Sequence, residues 1–357
     1  MSEATSLAER RARGAAQFRT QAKWCRDIGS PIYATLLAAT ADDCEAGGPA
    51  WGVVDGHEDM PVGDVLPIRV AGSVHRLVLT GRAPELAPFY ASAGGTARGD
   101  AWPAFRGVLE AHRDELRGML ARPVQTNEVA RSGSLLGGFA AIARETGLPL
   151  RLLEVGTSAG LNLRFDCFRY ESDGFAWGDP ASGVRLAAVF EGAAPAVPPR
   201  LDVADRMGCD AAPIDPTSDE GKLTLRTWLW PDQVERRARL DAALEIAARV
   251  PARIVRADAC DFALRELVPQ KGVATVLFHS VVMGYLGIEK LRRFGALVAE
   301  AGARATAEAP IARLCLEPRR KGDTWEYCVF LALWPGGEQR VLALSSPHGP
   351  PVRWLAA

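Results

Sequence analysis

The sequence predicts an α/β protein whose mostly parallel, doubly wound sheet ends in an antiparallel hairpin and follows a helical N-terminal cap. Three observations lead to this fold class. Short apolar runs alternate with helical segments from residue 150 onward, which is typical of a parallel sheet covered on both faces. Two β-prone segments flank a Pro-Gly-Gly turn at 335–337, as in a hairpin. Before residue 147, apolar residues recur mainly at helical spacing.

The N-terminal part, residues 1–146, is expected to form the helical cap. Helical spacing covers the segments 6–28, 31–46, 101–121 and 127–146. Gly-Gly-Pro at 47–49 is expected to end the second segment, and Gly147 to end the last, because both residue types favour helix C-termini.

The C-terminal part, residues 147–357, is expected to form the sheet domain. The predicted parallel strands are 150–155, 253–256, 273–278 and 311–316, the helices between them are 232–249, 261–267 and 287–301, and the hairpin pairs 327–333 with 340–344. Residues 166–231, rich in Gly, Pro and Asp, fit neither template and are expected to be an insertion that hides the second strand.

Charge and composition exclude several classes of partner. The chain has 357 residues, with 42 Lys and Arg against 43 Asp and Glu. This balance disfavours a basic surface for nucleic acid, so a small molecule is the expected partner. No apolar stretch reaches the roughly 18 residues that span a bilayer, and no secretory signal core precedes the first helix. The seven cysteines include no C-x-x-C pair, which favours reduced thiols in a cytoplasm and no metal site.

The glycine-rich turn after the first strand, Leu152-Leu-Glu-Val-Gly-Thr-Ser-Ala-Gly-Leu-Asn162, is the most informative segment. A strand that runs through small residues into a helix leaves backbone amides free for a ligand. The order acid, glycine, small residues, glycine resembles the first motif of class I S-adenosylmethionine-dependent methyltransferases, with Ser158 in place of the middle glycine. On this interpretation the cofactor-binding residues of the turn are Glu154, Gly156, Thr157, Ser158, Ala159, Gly160 and Asn162.

Two other interpretations of this turn remain open. Gly156-Thr-Ser-Ala-Gly160 also has the form G-x-S-x-G, in which Ser158 would be the nucleophile of an esterase. Asp258 or Asp323, with His348, would complete the triad. The helical region before the turn disfavours this, because that fold places several strands before its nucleophile. The third interpretation is a packing turn that binds no ligand.

A second cofactor contact is expected after the strand at 253–256. Asp258-Ala259 fits an acid followed by a small residue, which in many methyltransferases contacts the adenine amino group. The alternative is that Asp258 or Asp261 is the N-cap of the following helix. The spacing favours Asp261 as the cap and Asp258 as the ligand-binding residue.

Candidate catalytic residues lie where later strands are predicted to end. Ligands of open α/β sheets bind at the carboxyl ends of strands, where His279 and Glu317 are expected. Either could accept a proton from the substrate, although a hydrogen-bonded histidine and an exposed salt bridge are equally compatible with the sequence. Tyr285 is expected to line the pocket or to belong to the core.

The polar segment Val124-Gln-Thr-Asn-Glu-Val-Ala-Arg131 supplies the candidate substrate-binding residues. They are Gln125, Asn127, Glu128 and Arg131. A helix start with Thr126 as its N-cap accounts for part of this pattern without a ligand.

Five blocks together resemble a bacterial family, domain of unknown function 2332. They are Gly29-Ser-Pro-Ile-Tyr33, Val124-Gln-Thr-Asn-Glu-Val129, Leu153-Glu-Val-Gly-Thr-Ser-Ala-Gly-Leu-Asn-Leu163, Trp228-Leu-Trp-Pro-Asp232 and His279-Ser-Val-Val282. The resemblance implies a cytoplasmic bacterial protein with a methyltransferase-like fold and implies no substrate. The expected activity is methyl transfer from S-adenosylmethionine to a small molecule, with a Ser158 esterase and a non-catalytic binding protein as alternatives.

Overall fold

The computed structural model describes residues 6–322 and 324–355. Its internal contacts group into two units. The helical unit comprises the chain up to Thr126 together with Asp219–Ala238, and the sheet unit comprises Asn127–Ser218 together with the chain from Arg239 onward. The boundary expected after residue 146 therefore differs from this grouping, since residues 127–146 belong with the sheet. Residues 219–231 of the expected insertion belong with the helices.

Eleven α-helices occur in the described residues. They are α1 (Leu7–Asp27), α2 (Pro31–Ala46), α3 (Pro49–Val54), α4 (Leu66–Leu79), α5 (Trp102–Ala111), α6 (Arg113–Met119), α7 (Arg131–Thr146), α8 (Asp219–Thr227), α9 (Val234–Arg249), α10 (Ala259–Glu266) and α11 (Ile288–Ala303). The single helix predicted over 101–121 is broken into α5 and α6 at His112, whose backbone leaves the helical region. Across the described residues, no helix combines the length and apolarity needed to cross a bilayer.

The helical unit has its own apolar core. α1 begins with a capping box, in which Ser6 and Glu9 satisfy each other's backbone amides. Ser30 caps α2, whose first residue is a proline that needs no amide partner. Fully buried side chains such as Phe18 and Phe105 fill the space between the helices.

The described part of the chain also contains eleven strands. They are β1 (Leu150–Val155), β2 (Arg169–Ser172), β3 (Phe175–Trp177), β4 (Arg185–Leu186), β5 (Val203–Asp210), β6 (Arg253–Arg256), β7 (Ala274–Ser280), β8 (Ile311–Lys321), β9 (Thr324–Trp334), β10 (Gln339–Ser346) and β11 (Gly349–Trp354). The strand that the insertion was expected to hide is β5.

Eight strands form the main sheet, in the order β11-β10-β9-β8-β7-β1-β5-β6. The five strands β8, β7, β1, β5 and β6 run parallel to one another. β9, β10 and β11 extend the sheet beyond β8, and each of them is antiparallel to the strand before it. The protein is thus a mixed α/β structure with a mostly parallel central sheet. β2, β3 and β4 form a separate small sheet.

Helices cover both faces of the parallel strands. Phe278 of β7 packs edge-on against Phe139 of α7, with ring centroids 5.2 Å apart. Its neighbour Leu277 points the other way, into a cluster that contains Phe262 of α10 and Phe294 of α11. Because both faces of these strands are buried, their sequences are nearly continuous runs of apolar residues.

The strand order reverses between β1 and β7. From β1 the chain moves outward through β5 to β6, and it then returns to the other side of β1 as β7. The carboxyl ends of these parallel strands share one edge of the sheet. A crevice at such a reversal is where open α/β sheets bind ligands.

β8 is longer than predicted and turns directly into β9. The segment after residue 316, expected to be a connection, continues as strand to Lys321. Glu317 therefore lies inside β8, opposite Cys328 of β9, and not at a strand end. It does lie just beyond the end of the shorter neighbour β7, which stops at Ser280.

Candidate functional site

The turn after β1 contains three residues in the left-handed backbone region. Gly156 and Gly160 both have φ +69°, and Ser158 has φ +52°. Glycine adopts this conformation without strain, whereas a serine there is strained, and strain of this kind clusters at functional sites. The turn leads into a 3₁₀ helix, Leu161–Cys167, instead of the expected α-helix.

Protein groups occupy most of the turn amides. The amides of Gly156 and Thr157 both donate to the Cys209 carbonyl, at 2.9 and 3.0 Å. The Ser158 amide donates to Asp210 Oδ2 at 2.9 Å, and the Leu161 amide donates to a side chain, as described below. The expectation of free amides for a ligand is therefore wrong for these groups, because the turn is braced by the end of β5.

The turn glycines also permit close packing. A Cβ on Gly156 would lie 2.3 Å from Val282 Cγ2, and one on Gly160 would lie 2.5 Å from Ile254 Cδ1. The β1 turn is thus in direct contact with the loop that follows β7. A larger residue at either position would overlap a neighbouring side chain, so packing alone explains why both residues are glycine.

Glu154 is a buried carboxyl group at the end of β1. It is 3% exposed and accepts a hydrogen bond from the Thr157 hydroxyl. Burial raises the pKa of Glu154 to about 8, against the smaller opposing effects of Thr157 and of the Arg164 and Arg131 charges. Without a ligand, the group is therefore mostly protonated at neutral pH.

Asp210 is a site residue that the sequence analysis missed. It ends β5, and its carboxylate accepts hydrogen bonds from the Ser158 amide and from the Ala212 amide, both at 2.9 Å. An acid after the second strand is a recognisable signal in nucleotide-binding sheets. This signal could not be applied to Asp210, because the sequence did not predict β5 as a strand.

Glu317 and His279 form a buried pair across β7 and β8. His279 Nδ1 lies 2.7 Å from Glu317 Oε1, which also accepts from the Val282 and Met283 amides at 3.0 and 3.3 Å. Burial alone would raise the pKa of Glu317, but these hydrogen bonds and the nearby ring hold it below its usual range. Its second oxygen, Oε2, is buried without a hydrogen-bond partner.

Both ring nitrogens of His279 have protein partners. Arg313 Nε and Nη2 each lie 3.3 Å from His279 Nε2. A guanidinium can only donate, so Nε2 accepts and the ring proton is assigned to Nδ1, which donates to Glu317. Both ring nitrogens of His279 are therefore engaged, and Oε2 is the oxygen of Glu317 that has no hydrogen-bond partner in the protein.

Asp258 is the N-cap of α10, so the assignment of that role to Asp261 was wrong. Its side chain accepts from the Cys260 amide at 2.9 Å and from Lys290 Nζ at 2.7 Å. The Lys290 hydrogen bond and the Cys260 amide lower the pKa of Asp258. Ala259 follows as the first, buried residue of α10. These contacts explain Asp258 without an adenine ring.

Of the four polar residues predicted near 124–131, two contact the end of the turn and a third contacts the end of β7. Asn127 Oδ1 accepts from the Leu161 amide at 3.0 Å, and the Glu128 carbonyl accepts from Asn162 Nδ2 at 3.1 Å. Arg131 donates to the Ser280 carbonyl, at the end of β7, at 3.1 Å. The Oδ1 atom of Asn162 is buried without a partner.

Two further predictions, for Thr126 and Tyr285, need correction, and the role of Gln125 stays a prediction. The residue before α7 is Ala130, so Thr126 is not its N-cap. Gln125 is half-buried and belongs to the helical unit. Tyr285 lies in the 3₁₀ turn Met283–Tyr285 and is 78% exposed, which is incompatible with the core position considered for it.

The serine hydrolase interpretation lacks its central contact. The Ser158 hydroxyl is buried and has no hydrogen-bond partner, so no base contacts the proposed nucleophile. Asp258 is engaged as a helix cap, and Asp323 lies outside the described residues. His348 lies between β10 and β11, where its amide donates to the Ser346 hydroxyl. Within residues 6–322 and 324–355, no group of three or more His, Cys, Asp or Glu is placed to hold a metal ion.

Comparison with known proteins gives a family and no closer relative. Neither the curated proteins nor the solved structures contain a match to the chain. One family pattern covers residues 15–354, which includes both units almost entirely. The chain therefore belongs to the family described as "Uncharacterized protein conserved in bacteria (DUF2332)".

Proposed function

We propose that the sheet unit is a methyltransferase-like domain that binds S-adenosylmethionine and transfers its methyl group to a small molecule. The observation that carries this proposal is the convergence of Glu154, Asp210 and Glu317 at the reversal point of the sheet. Asp210 binds the Ser158 amide and Glu154 binds Thr157, both in the β1 turn. Glu317 binds the Val282 amide in the β7 loop, and the Val282 side chain is packed against Gly156 of that turn. Acidic groups suit this cofactor because it carries two positive charges and a ribose diol.

Unpartnered polar atoms in the same region fit a polar ligand. Ser158 Oγ, Asn162 Oδ1 and Glu317 Oε2 are all buried without hydrogen bonds. A buried polar atom without a partner costs about 1–3 kcal/mol, so three such atoms in one region favour a ligand that satisfies them.

Each acid has a distinct role in the proposed site. Asp210 would accept hydrogen bonds from the ribose hydroxyls, the role an acid has after the second strand of nucleotide-binding sheets. Glu154 would lose its proton and face the cationic part of the cofactor, because a nearby positive charge lowers the pKa of a buried carboxyl. The bound cofactor would supply an electrophilic methyl group on sulfur.

The protein would contribute mainly positioning and a proton acceptor. Glu317 Oε2 would take a proton from the substrate, while His279 and two backbone amides hold Oε1 in place. Because the pKa of Glu317 is lowered, the group is ionised at neutral pH but is a weak base. It would therefore act after the C–S bond has broken and the methylated nitrogen of an amine has become a cation, and it would accept the proton that this nitrogen then releases. Holding the two reactants in line would provide most of the acceleration.

Calorimetry with S-adenosylmethionine tests the proposal. Titrations at pH 7 in buffers of different ionisation heat should show binding with release of protons, since Glu154 is mostly protonated beforehand. Glu154→Gln should abolish that release and weaken binding at least tenfold. Glu300→Gln, on an exposed ion pair with Arg304, is the matched control and should change neither. No binding by the folded protein at millimolar ligand would refute the proposal.

A Ser158 hydrolase is the second candidate, because a strained left-handed serine between a strand and a helix is what a nucleophile elbow requires. Covalent labelling by a fluorophosphonate probe that Ser158→Ala abolishes would favour it over methyl transfer. A binding protein that has lost catalysis would bind the cofactor and yield no S-adenosylhomocysteine with any amine substrate tested.

A further inference from the structure

Two family blocks that the proposed function does not use meet inside the helical unit. The Ser30 hydroxyl lies 2.8 and 2.9 Å from the two carboxylate oxygens of Asp232, and the Ile32 amide lies 3.4 Å from one of them. The ring of Tyr33 lies 6.0 Å from that of Trp230. The blocks 29–33 and 228–232 therefore form one cluster, although about 200 residues separate them in sequence.

Tyr90 lies next to these blocks, since the Ser92 amide two residues further on donates to the Pro231 carbonyl at 2.8 Å. We define the Tyr33–Asp232 cluster as Tyr33, Tyr90, Trp230 and Asp232. The charge of Asp232 reaches both phenols, since it adds to the burial that raises the pKa of Tyr33 and of Tyr90. Tyr90 also adds to the rise in the pKa of Tyr33. Both phenols consequently stay protonated across the physiological range.

The phenol hydroxyls lack the partners that buried hydroxyls normally have. Tyr33 is 1% exposed and Tyr90 is 0% exposed, and neither Oη atom has a hydrogen-bond partner. Unsatisfied groups of this kind are rare in native proteins and call for an explanation such as a ligand. Two such hydroxyls in one cluster are more than a single packing defect explains.

The chemistry of the cluster selects the kind of ligand. The donors that reach Asp232 are a hydroxyl and an amide, both neutral, so its negative charge has no cationic partner among them. An ammonium group has three N–H donors, enough for the carboxylate and two phenol oxygens. The faces of Tyr33 and Trp230 also attract a cation. Trp230 and Asp232 are only half-buried, so solvent reaches this side of the cluster.

We propose that the Tyr33–Asp232 cluster is a binding site for a small primary amine in its ammonium form. The neighbouring His75 does not compete for that charge. Its ring contacts Tyr90 at 5.5 Å and is held between the Thr227 carbonyl and the Ser92 hydroxyl, and burial lowers its pKa to about 4. The proposal concerns the helical unit and is independent of cofactor binding to the sheet.

Thermal unfolding of the full chain with n-butylammonium tests the proposal. A ligand of this size should bind with a Kd on the order of 1 mM. At 100 mM and constant ionic strength, it should raise Tm by roughly 5 °C. n-Butanol, which lacks the charge, and tetramethylammonium, which lacks N–H donors, should each give less than half of that rise.

Tyrosine-to-phenylalanine variants distinguish a ligand site from a packing defect. Tyr33→Phe and Tyr90→Phe should leave Tm without ligand unchanged within about 1 °C or raise it, because each removes an unsatisfied group. Both should weaken butylammonium binding at least fivefold. Tyr170→Phe is the matched control: its buried hydroxyl donates to the Phe165 carbonyl at 2.7 Å, so Tm should fall while the ligand-induced rise stays intact. Equal rises in wild type and both cluster variants, or no rise with butylammonium, would overturn the proposal.

Discussion

Replacing Gly156 by alanine should destabilise the sheet unit by about 2–5 kcal/mol. Two costs add up to this figure. An L-residue at φ +69° costs about 1–2 kcal/mol, because its Cβ approaches the backbone. The new Cβ would also lie 2.3 Å from Val282 Cγ2, and overpacking of this kind costs about 1–3 kcal/mol. Val282 cannot withdraw freely, since Glu317 holds its amide at 3.0 Å.

Gly147 separates the two costs. It has φ +67° and nothing within 4 Å of an added Cβ, so Gly147→Ala incurs only the backbone term. Both glycines lie in the sheet unit, and denaturant unfolding followed by circular dichroism therefore reports the same transition. The difference between the two variants measures the contact with Val282 and should be about 1–3 kcal/mol.

A second substitution checks the assignment to Val282. Val282→Ala removes both methyl groups but leaves a Cβ 3.0 Å away, so it should recover only part of the steric cost of Gly156→Ala. If Gly156→Ala costs no more than Gly147→Ala, the β1 turn and the β7 loop are not packed as described. In that case contact with Val282 would not be the reason for a glycine at position 156.

The remaining predictions concern two acids. Burial raises the pKa of Glu154 from 4.5 to about 8, so its contribution to stability should be fully present below pH 4.5 and lost as pH rises through about 8. In urea unfolding, Glu154→Gln should flatten this decline of the unfolding free energy with pH. An equally steep decline in the variant would contradict the assignment. Asp258→Ala should cost about 1 kcal/mol as a lost N-cap, whereas Asp261→Ala should stay within about 0.5 kcal/mol; the reverse order would restore Asp261 as the cap.

The sequence predicted the strands that contain an uninterrupted apolar run. β1 and β7 are buried along most of their length, so hydrophobicity alone identifies them. β6 is only partly buried, but its central residues Ile254 and Val255 are apolar and the strand was predicted with its correct bounds. β5 is buried only in its second half, and its first half carries the charged residues Asp205 and Arg206. These charges interrupt the apolar run on which strand prediction depends.

The candidate site was predicted as a set of residues but not as a set of contacts. That Glu154 and His279 share an edge follows from parallel strands, because their carboxyl ends coincide. The pairing of His279 with Glu317 follows from register: His279 lies opposite Cys315, which places Glu317 two residues beyond. Register, and the meeting of Ser30 with Asp232, depend on tertiary packing that no local pattern encodes.

The discontinuity of the helical unit has a consequence for biosynthesis. The partner of the α2 N-terminus, Asp232, is made long after α2 itself, and residues 127–218 of the sheet unit are translated in between. At about 5–20 residues per second, the interval between the synthesis of α2 and that of Asp232 lasts on the order of 10–40 s. During that time α2 leaves the ribosome without the carboxylate that stabilises its first turn. The helical unit can therefore complete its fold only after residues 219–238 have been synthesised. A ribosome-bound chain stalled before residue 219 should still be protease-sensitive around α2.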